Sequence, residues 1–407
     1  MWLTIEGLRR KVFSRFDRGI WIVTAIQLLT AASFSICLPF LALYLYQDRG
    51  LSMTMVGVVI LIAGLCSAAT QIISGWLSDR FGRRPLLLGA TGISIFLYSG
   101  LAALIGFSAP IWAIAVVYTV GQSVRMTTRP ITSAMVMDLS PKERLTENYG
   151  FLRVGQNLGW AAGPAVGGYL ATFLPYAWLF GLAALLNAVT FCLILLFLKE
   201  SFHGATEQVG FRSMFYVATN RTFVIFTGLS LIVFVVMGQL GSTLSVFSVD
   251  RMGFSTAQYG LLLTMNGLIV VFFQYPVARG LNRLAKPTAI ILGSLLYGLG
   301  YLFLGWIGSF AWALAAVAII TAGEIIFSPT ALSVVGELSP QDQRGRYMGF
   351  FGLSDILGMS FGPLIGGILL DVFPTGPCFI WGTIAFLAFL AAAGFHRWGM
   401  VHWTSHA

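Results

Sequence analysis

The stretch "DLSPKERLTENYGFLRVGQNLGWAAGPAVGGYL", residues 138–170, is written twice in this chain. It returns without gaps as "ELSPQDQRGRYMGFFGLSDILGMSFGPLIGGIL", residues 337–369, an offset of 199 residues. Twelve of the 33 positions are identical, including Leu-Ser-Pro, Gly-Phe and every Gly and Pro of the closing run. A second echo joins "DRGLSMTMVG" (48–57) to "DRMGFSTAQYG" (250–260), with one residue inserted. A repeat of this length makes the chain a duplication, and the polar stretch from Lys199 to Arg221 is its join.

Composition says what is duplicated. The chain is 57% hydrophobic and 10% charged, with a mean hydropathy of +0.85, whereas soluble domains are roughly one quarter charged. A spanning helix needs about 20 apolar residues. Twelve such segments fall near 19–46, 52–77, 85–107, 110–136, 148–173, 176–198, 222–248, 256–278, 287–308, 310–335, 347–370 and 377–396. The expectation is an all-α, twelve-helix membrane protein. Its parts are an amphipathic basic segment (1–18), a six-helix bundle (19–198), a linker (199–221), a second six-helix bundle (222–396) and a short tail (397–407). Two halves related by an axis along the membrane normal are one known architecture of secondary transporters.

Charge orients the chain. With the N-terminus inside, 19 of the 24 Lys and Arg fall in cytoplasmic segments, and the external loops hold only Arg49 and Arg251. Translocated loops are depleted in Lys and Arg, so both termini are expected in the cytoplasm. The net charge of +9 then reflects topology rather than a nucleic-acid footprint. Cys37, Cys66, Cys192 and Cys378 stand singly in apolar segments, which reads as buried small hydrophobes. No metal-ligand cluster and no nucleophile–base spacing points to catalysis, and no cofactor is implied.

The loop "GWLSDRFGRRP" (75–85) resembles the hallmark loop of the major facilitator superfamily, through Gly75, Leu77, Asp79, Arg80, Gly82, Arg83 and Arg84. Gly82 permits a tight turn, and Asp79 suits an ionic latch held differently in two conformations. The second half, "VARGLNRLAKP" (277–287), keeps basic residues and Pro287 but no equivalent Asp or Gly. Span five carries Gly159, Gly163, Pro164, Gly167 and Gly168, and span eleven repeats them as Gly358, Gly362, Pro363, Gly366 and Gly367. This pattern is similar to the one associated within the superfamily with antiporters, where small residues bring helices together. The resemblance covers essentially the whole chain and implies two bundles rocking about a midplane site. One departure stands out. Drug:proton antiporters of the superfamily usually carry an arginine four residues before a glycine in span four, and here that position, against Gly121, is Val117.

The basic residues of "GQSVRMTTRP" (121–130) fall after that glycine, at Arg125 and Arg129. With Arg153, Glu324 and Asp355 they are the ionisable groups at depth, each costing about 2.5–3.5 kcal/mol near a bilayer centre unless it faces protein or a wet cavity. The offset of 199 maps Arg125 onto Glu324. In the fold the resemblance implies, these two stand on facing walls. Arginine stays protonated, so proton coupling runs through a carboxylate, Glu324 or Asp355. A carboxylate whose arginine is near in one conformation and distant in the other binds and releases a proton in alternation. A static salt bridge is the competing role for both acids. Arg129 and Arg153 read as braces of the inner gate, with Asp79, Asp138 or Glu147 as partners. Arg125 lies deeper, on one stripe with Tyr118 and Gln122, and suits an anionic head group through its bidentate fork. Further cavity candidates are Gln27, Phe34, Phe234, Gln239 and Phe327, whose rings suit bulky cations.

Together these readings predict a monomeric, multi-pass transporter of the plasma (inner) membrane. It exports amphipathic small molecules against protons. An exchanger or flippase for anionic solutes or lysophospholipids, centred on Arg125, is the second reading, and a transport-dead sensor the third.

Overall fold

The computed structural model describes residues 17–141, 144–201, 216–281, 283–306, 308–340 and 343–402. Residues 1–16, most of the expected linker and the last five residues lie outside that description, as do the side chains of Gly75 and Asp79. Every regular element among the described residues is helical.

Twelve crossings follow the chain. Span one is Arg18–Leu43 with a π turn, Tyr44–Asp48; spans two and three are Met53–Phe81 and Arg83–Gly106. Span four is a broken pair, Ile111–Met126 and Thr128–Leu139; spans five and six are Leu145–Ala171 and Ala177–Phe197. Span seven starts as Arg221–Met237 and continues in short turns to Arg251. Spans eight to twelve are Thr256–Leu281, Lys286–Leu304, Phe310–Leu338, Arg344–Val372 and Pro377–His402. Ten of these are long and apolar enough to cross a bilayer by that measure alone. The other two are spans four and five, which carry the arginines.

Span four breaks at Thr127, one turn before Pro130. A proline inside a helix removes a hydrogen bond and crowds the carbonyl four residues back, here that of Met126. Hydroxyls occupy nearby carbonyls: Thr127 donates to Val124 (2.7 Å), and Thr128 to Arg125 (2.8 Å). The last helix differs from expectation. It runs to His402 rather than ending at 396, because Trp398 is buried against span seven and its indole donates to the Thr222 carbonyl (3.0 Å).

The two halves meet through two helix pairs, spans two with eleven and spans five with eight. The glycines show how closely. A Cβ on Gly57 would strike the backbone of Pro363 and Leu364, and one on Gly260 the backbone of Pro164. Gly64 faces Ser360, and Gly267 faces Ala161. Gly367 abuts the Met53 carbonyl, and Gly168 the Thr256 carbonyl. Each pair is the repeat image of the other, at an offset of 203 for spans two and eight and of 199 for spans five and eleven.

Hydrogen bonds lock the same end. Asp371 caps span two, accepting from Met53 N (3.0 Å), Thr54 N (2.8 Å) and Thr54 Oγ1 (2.6 Å). At the equivalent place Thr172 and Thr256 share a hydroxyl contact of 3.1 Å, and Thr256 donates to the Gly168 carbonyl (3.0 Å). Tyr46 donates to Asp250 across the mouth at 3.2 Å. All of these lie away from the termini. The structure is therefore closed at that end.

Candidate functional site: a charged midplane between the halves

The repeated glycines divide their work. Gly159, Gly163 and Gly167 press span five onto span one, against Leu28, Ser35, Ile36 and Phe40. Gly168, on another face, meets span eight. In the second half Gly358, Gly362 and Gly366 press span eleven onto span seven, and Gly367 meets span two. Three glycines thus build each bundle and the fourth builds the seam. Spans four, five, ten and eleven carry the charged groups beside it, and spans one and eight contribute Phe34 and Asn266.

Arg125 is held within the first half. Its guanidinium carbon lies 3.6 Å from the centre of the Phe34 ring, and its Nε donates to Gln122 Oε1 (3.1 Å). The hydroxyls of Tyr98 and Tyr118, both buried, lie within its electrostatic reach. Phe34 is fixed in turn by an edge contact with Trp160 at 5.2 Å.

Glu324 is held by different partners. Asn266 of span eight donates to its Oε2 (2.9 Å) and also meets Thr321 Oγ1 (2.9 Å). Arg153, of the opposite half, lies within its electrostatic reach but beyond ion-pair distance. One turn nearer the termini, Arg129 Nη1 pairs with Asp355 Oδ2 at 4.0 Å, first half to second. Among the described residues no contact joins Arg125 to Glu324, so the facing pair expected from the repeat takes another form. Asp355 pairs with Arg129, Glu324 keeps Asn266, and Arg125 stacks on Phe34.

Several expected cavity residues serve the core instead. Phe327 is wholly buried among Phe234 (6.0 Å), Phe395 (6.1 Å) and span nine. Phe234 also packs edge-on against Phe351 at 5.5 Å. Gln239 clamps span seven to span eleven by donating to the Gly362 carbonyl (2.9 Å). Gln27 accepts from Thr132 (3.2 Å) and ties span one to the lower part of span four. Tyr118 remains beside Arg125.

At the termini side, Gly82 sits at φ +91°, a left-handed turn that admits glycine without strain. Arg83 is buried: its Nε meets Asp138 (3.3 Å) and its Nη1 donates to Ser78 (2.6 Å). Asp138, expected as a partner for Arg129 or Arg153, is thus taken by Arg83. Glu200 accepts from the backbone N–H of Arg83 and Arg84 (3.1 Å each), an anion at the N-terminus of span three. Arg84 reaches the Leu195 carbonyl at 2.9 Å, and Arg80 lies over the ring of Phe81. The second half keeps a related contact despite its degenerate loop, an ion pair between Lys286 and Glu337. Glu337 is the repeat image of Asp138.

Sequence reasoning missed Asn266, Glu200 and Tyr98. Tyr98 carried a usable signal. It maps by 199 onto Tyr297, which lies near Glu324 as Tyr98 lies near Arg125.

A twelve-span duplicated chain, with the halves meeting along two helix pairs and charge gathered between them, has the architecture of a secondary transporter. The family model described as Major Facilitator Superfamily matches residues 23–354 and again 257–399, and the chain belongs to that superfamily. It is 24% identical over 385 residues to the uncharacterized MFS-type transporter YqjV of Bacillus subtilis, covering 91% of each chain. It is 28% identical over 308 residues to the class B tetracycline resistance protein of Escherichia coli, covering 73% of this chain and 74% of that one. A crystal structure of a POT family transporter in complex with 5-aminolevulinic acid superposes with a TM-score of 0.80 at 16% identity, covering 92% and 95%. The protein is a multi-pass integral membrane protein of a transporter family.

Proposed function

We propose that this protein is a proton-coupled antiporter that exports amphipathic small molecules by alternating access. It works as a monomer in the plasma (inner) membrane, with both termini cytoplasmic. The excess of Lys and Arg on the termini side supports that orientation. In that frame the described conformation is shut toward the outside.

The observation that carries the reading is the ion pair of Arg129 with Asp355 across the halves. Glu324, hydrogen-bonded by Asn266, lies within the electrostatic reach of Arg153 of the opposite half, beyond ion-pair distance. Rocking of the halves changes both separations, while Asn266 stays with Glu324 because both belong to the second half. A carboxylate that loses its arginine takes a proton, and one that regains it releases the proton. Proton occupancy and conformation are thereby linked. The similarity to a tetracycline resistance protein is in keeping with an amphipathic small molecule as substrate.

The test uses the purified chain in proteoliposomes with an imposed pH gradient. Glu324→Gln is expected to abolish gradient-driven transport while leaving substrate exchange. Unchanged driven transport in that variant removes Glu324 from the coupling.

A further inference from the structure

The midplane charges do not balance. Three arginines, Arg125, Arg129 and Arg153, stand against two carboxylates: Asp355 pairs with Arg129, and Glu324 is hydrogen-bonded by Asn266 and lies within the electrostatic reach of Arg153. Arg125 stays charged at any relevant pH. Among the described residues it has no carboxylate partner, and its only hydrogen bond uses Nε, toward Gln122. The two terminal amino groups of the guanidinium are left without an acceptor.

The surroundings fix that fork rather than neutralise it. Stacking on Phe34 sets the plane of the guanidinium, and Gln122 sets its rotation. Tyr98 is 4% exposed, and its hydroxyl has no partner in the protein. A hydroxyl buried without a partner costs about 1–3 kcal/mol, so a ligand that accepts its proton is favoured there. Tyr118 adds a second buried hydroxyl nearby. Apolar surface continues the site through Phe34 and Trp160.

From this geometry we infer that Arg125, with Phe34, Gln122 and Tyr98, forms the head-group subsite of the transporter, and that it takes an oxyanion, a carboxylate or phosphate, carried on an apolar or aromatic body. A lone cation is disfavoured at this position, because Arg125 already covers the ring a cation would stack on and repels it. The inference rests on the transport reading and specifies its substrate. Substrate and proton then occupy different groups, the oxyanion on Arg125 and the proton on Glu324 or Asp355.

The experiment is equilibrium binding to the full chain in detergent, with no gradient, so that it is independent of proton coupling. The probes are 2-naphthoate, lysophosphatidylglycerol and ethidium. Wild-type protein is expected to bind at least one of the two anions and to bind ethidium more weakly. Naphthoate alone assigns the site to a soluble carboxylate, and lysophosphatidylglycerol alone to a lipid head group. Arg125→Gln is expected to weaken anion binding roughly 10–100-fold, the loss of a charge-assisted bidentate contact. Arg125→Lys should restore part of it, and Tyr98→Phe should weaken it by about tenfold or less. Ethidium binding should not follow these variants. Binding of neither anion, with or without ethidium bound, or anion binding equal in wild type and Arg125→Gln, overturns the inference. If Arg125→Gln does not fold, the wild-type preference and Tyr98→Phe decide it. Cation transport driven by a pH gradient would leave the coupling reading standing while this one fell; anion binding without driven transport would do the reverse.

Discussion

Arg129 in span four and Asp355 in span eleven meet across the two halves at 4.0 Å, with side chains 52% and 33% exposed. The contact lies on the termini side of the midplane, opposite the end that the glycine seams close. It is an ionic link between the two halves at that end.

Asp355→Asn tests the link. A half-exposed pair contributes about 0.2–1 kcal/mol, so the shift toward separation at the termini side should be at most about fivefold. Distances between spin labels on the termini ends of spans four and eleven would report it. An Arg129→Gln, Asp355→Asn double variant should shift no further than either single one.

Asp371 should be worth more. Its carboxylate accepts two backbone N–H groups and a hydroxyl at the start of span two, and losing a helix cap costs about 0.5–2 kcal/mol. Asp371→Ala should open the outer end, seen as faster thiol labelling of a Ser248→Cys variant, whose side chain is buried in the described conformation. Labelling at the wild-type rate would show that the glycine seam suffices.

The seam itself is tested by Gly168→Val or Gly367→Val. Each added side chain runs into a carbonyl of the opposite half, that of Thr256 or Met53. Overpacking costs about 1–3 kcal/mol, so outer-end labelling should rise and transport turnover should fall. Valine at Gly228, where a Cβ meets nothing within 4 Å, should leave both unchanged.

Arg83 is a stability residue in this structure. Removing one partner of a buried, hydrogen-bonded pair costs about 3–5 kcal/mol, so Arg83→Ala should lower the thermal unfolding midpoint markedly. Arg83→Lys should rescue little, because the Nε contact to Asp138 and the Nη1 contact to Ser78 need the planar fork. Full rescue by lysine would reduce the site to a point charge.

The repeated glycines meet repeat-related neighbours because close helix contact is a local property. Where a Gly stands at a fixed spacing, a neighbouring backbone approaches, and the same spacing in the second half draws the same neighbour. Glu324, Asp355 and the three arginines were legible for the opposite reason, since charge is rare in an apolar run. Asn266 was not legible. It is neutral, and its position in the first half, Ala63, is apolar, so neither charge nor repetition marks it. Phe234 and Phe327 were misread because an aromatic residue on a cavity-lining span also has a back face, and both rings occupy it.

By itself the sequence determined that this chain crosses the membrane twelve times, that its halves are copies, and which spans hold its charges. Hydropathy, repetition and the cost of ions in lipid act along the chain, one segment at a time. The tertiary structure alone decided which arginine answers which carboxylate. An offset of 199 equates positions within each half, but the pairing of halves depends on helix rotation and on which end of the seam is shut. That is why Arg125, the repeat image of Glu324, stacks on Phe34 with its fork unfilled, while Arg129 and Arg153 face the acids.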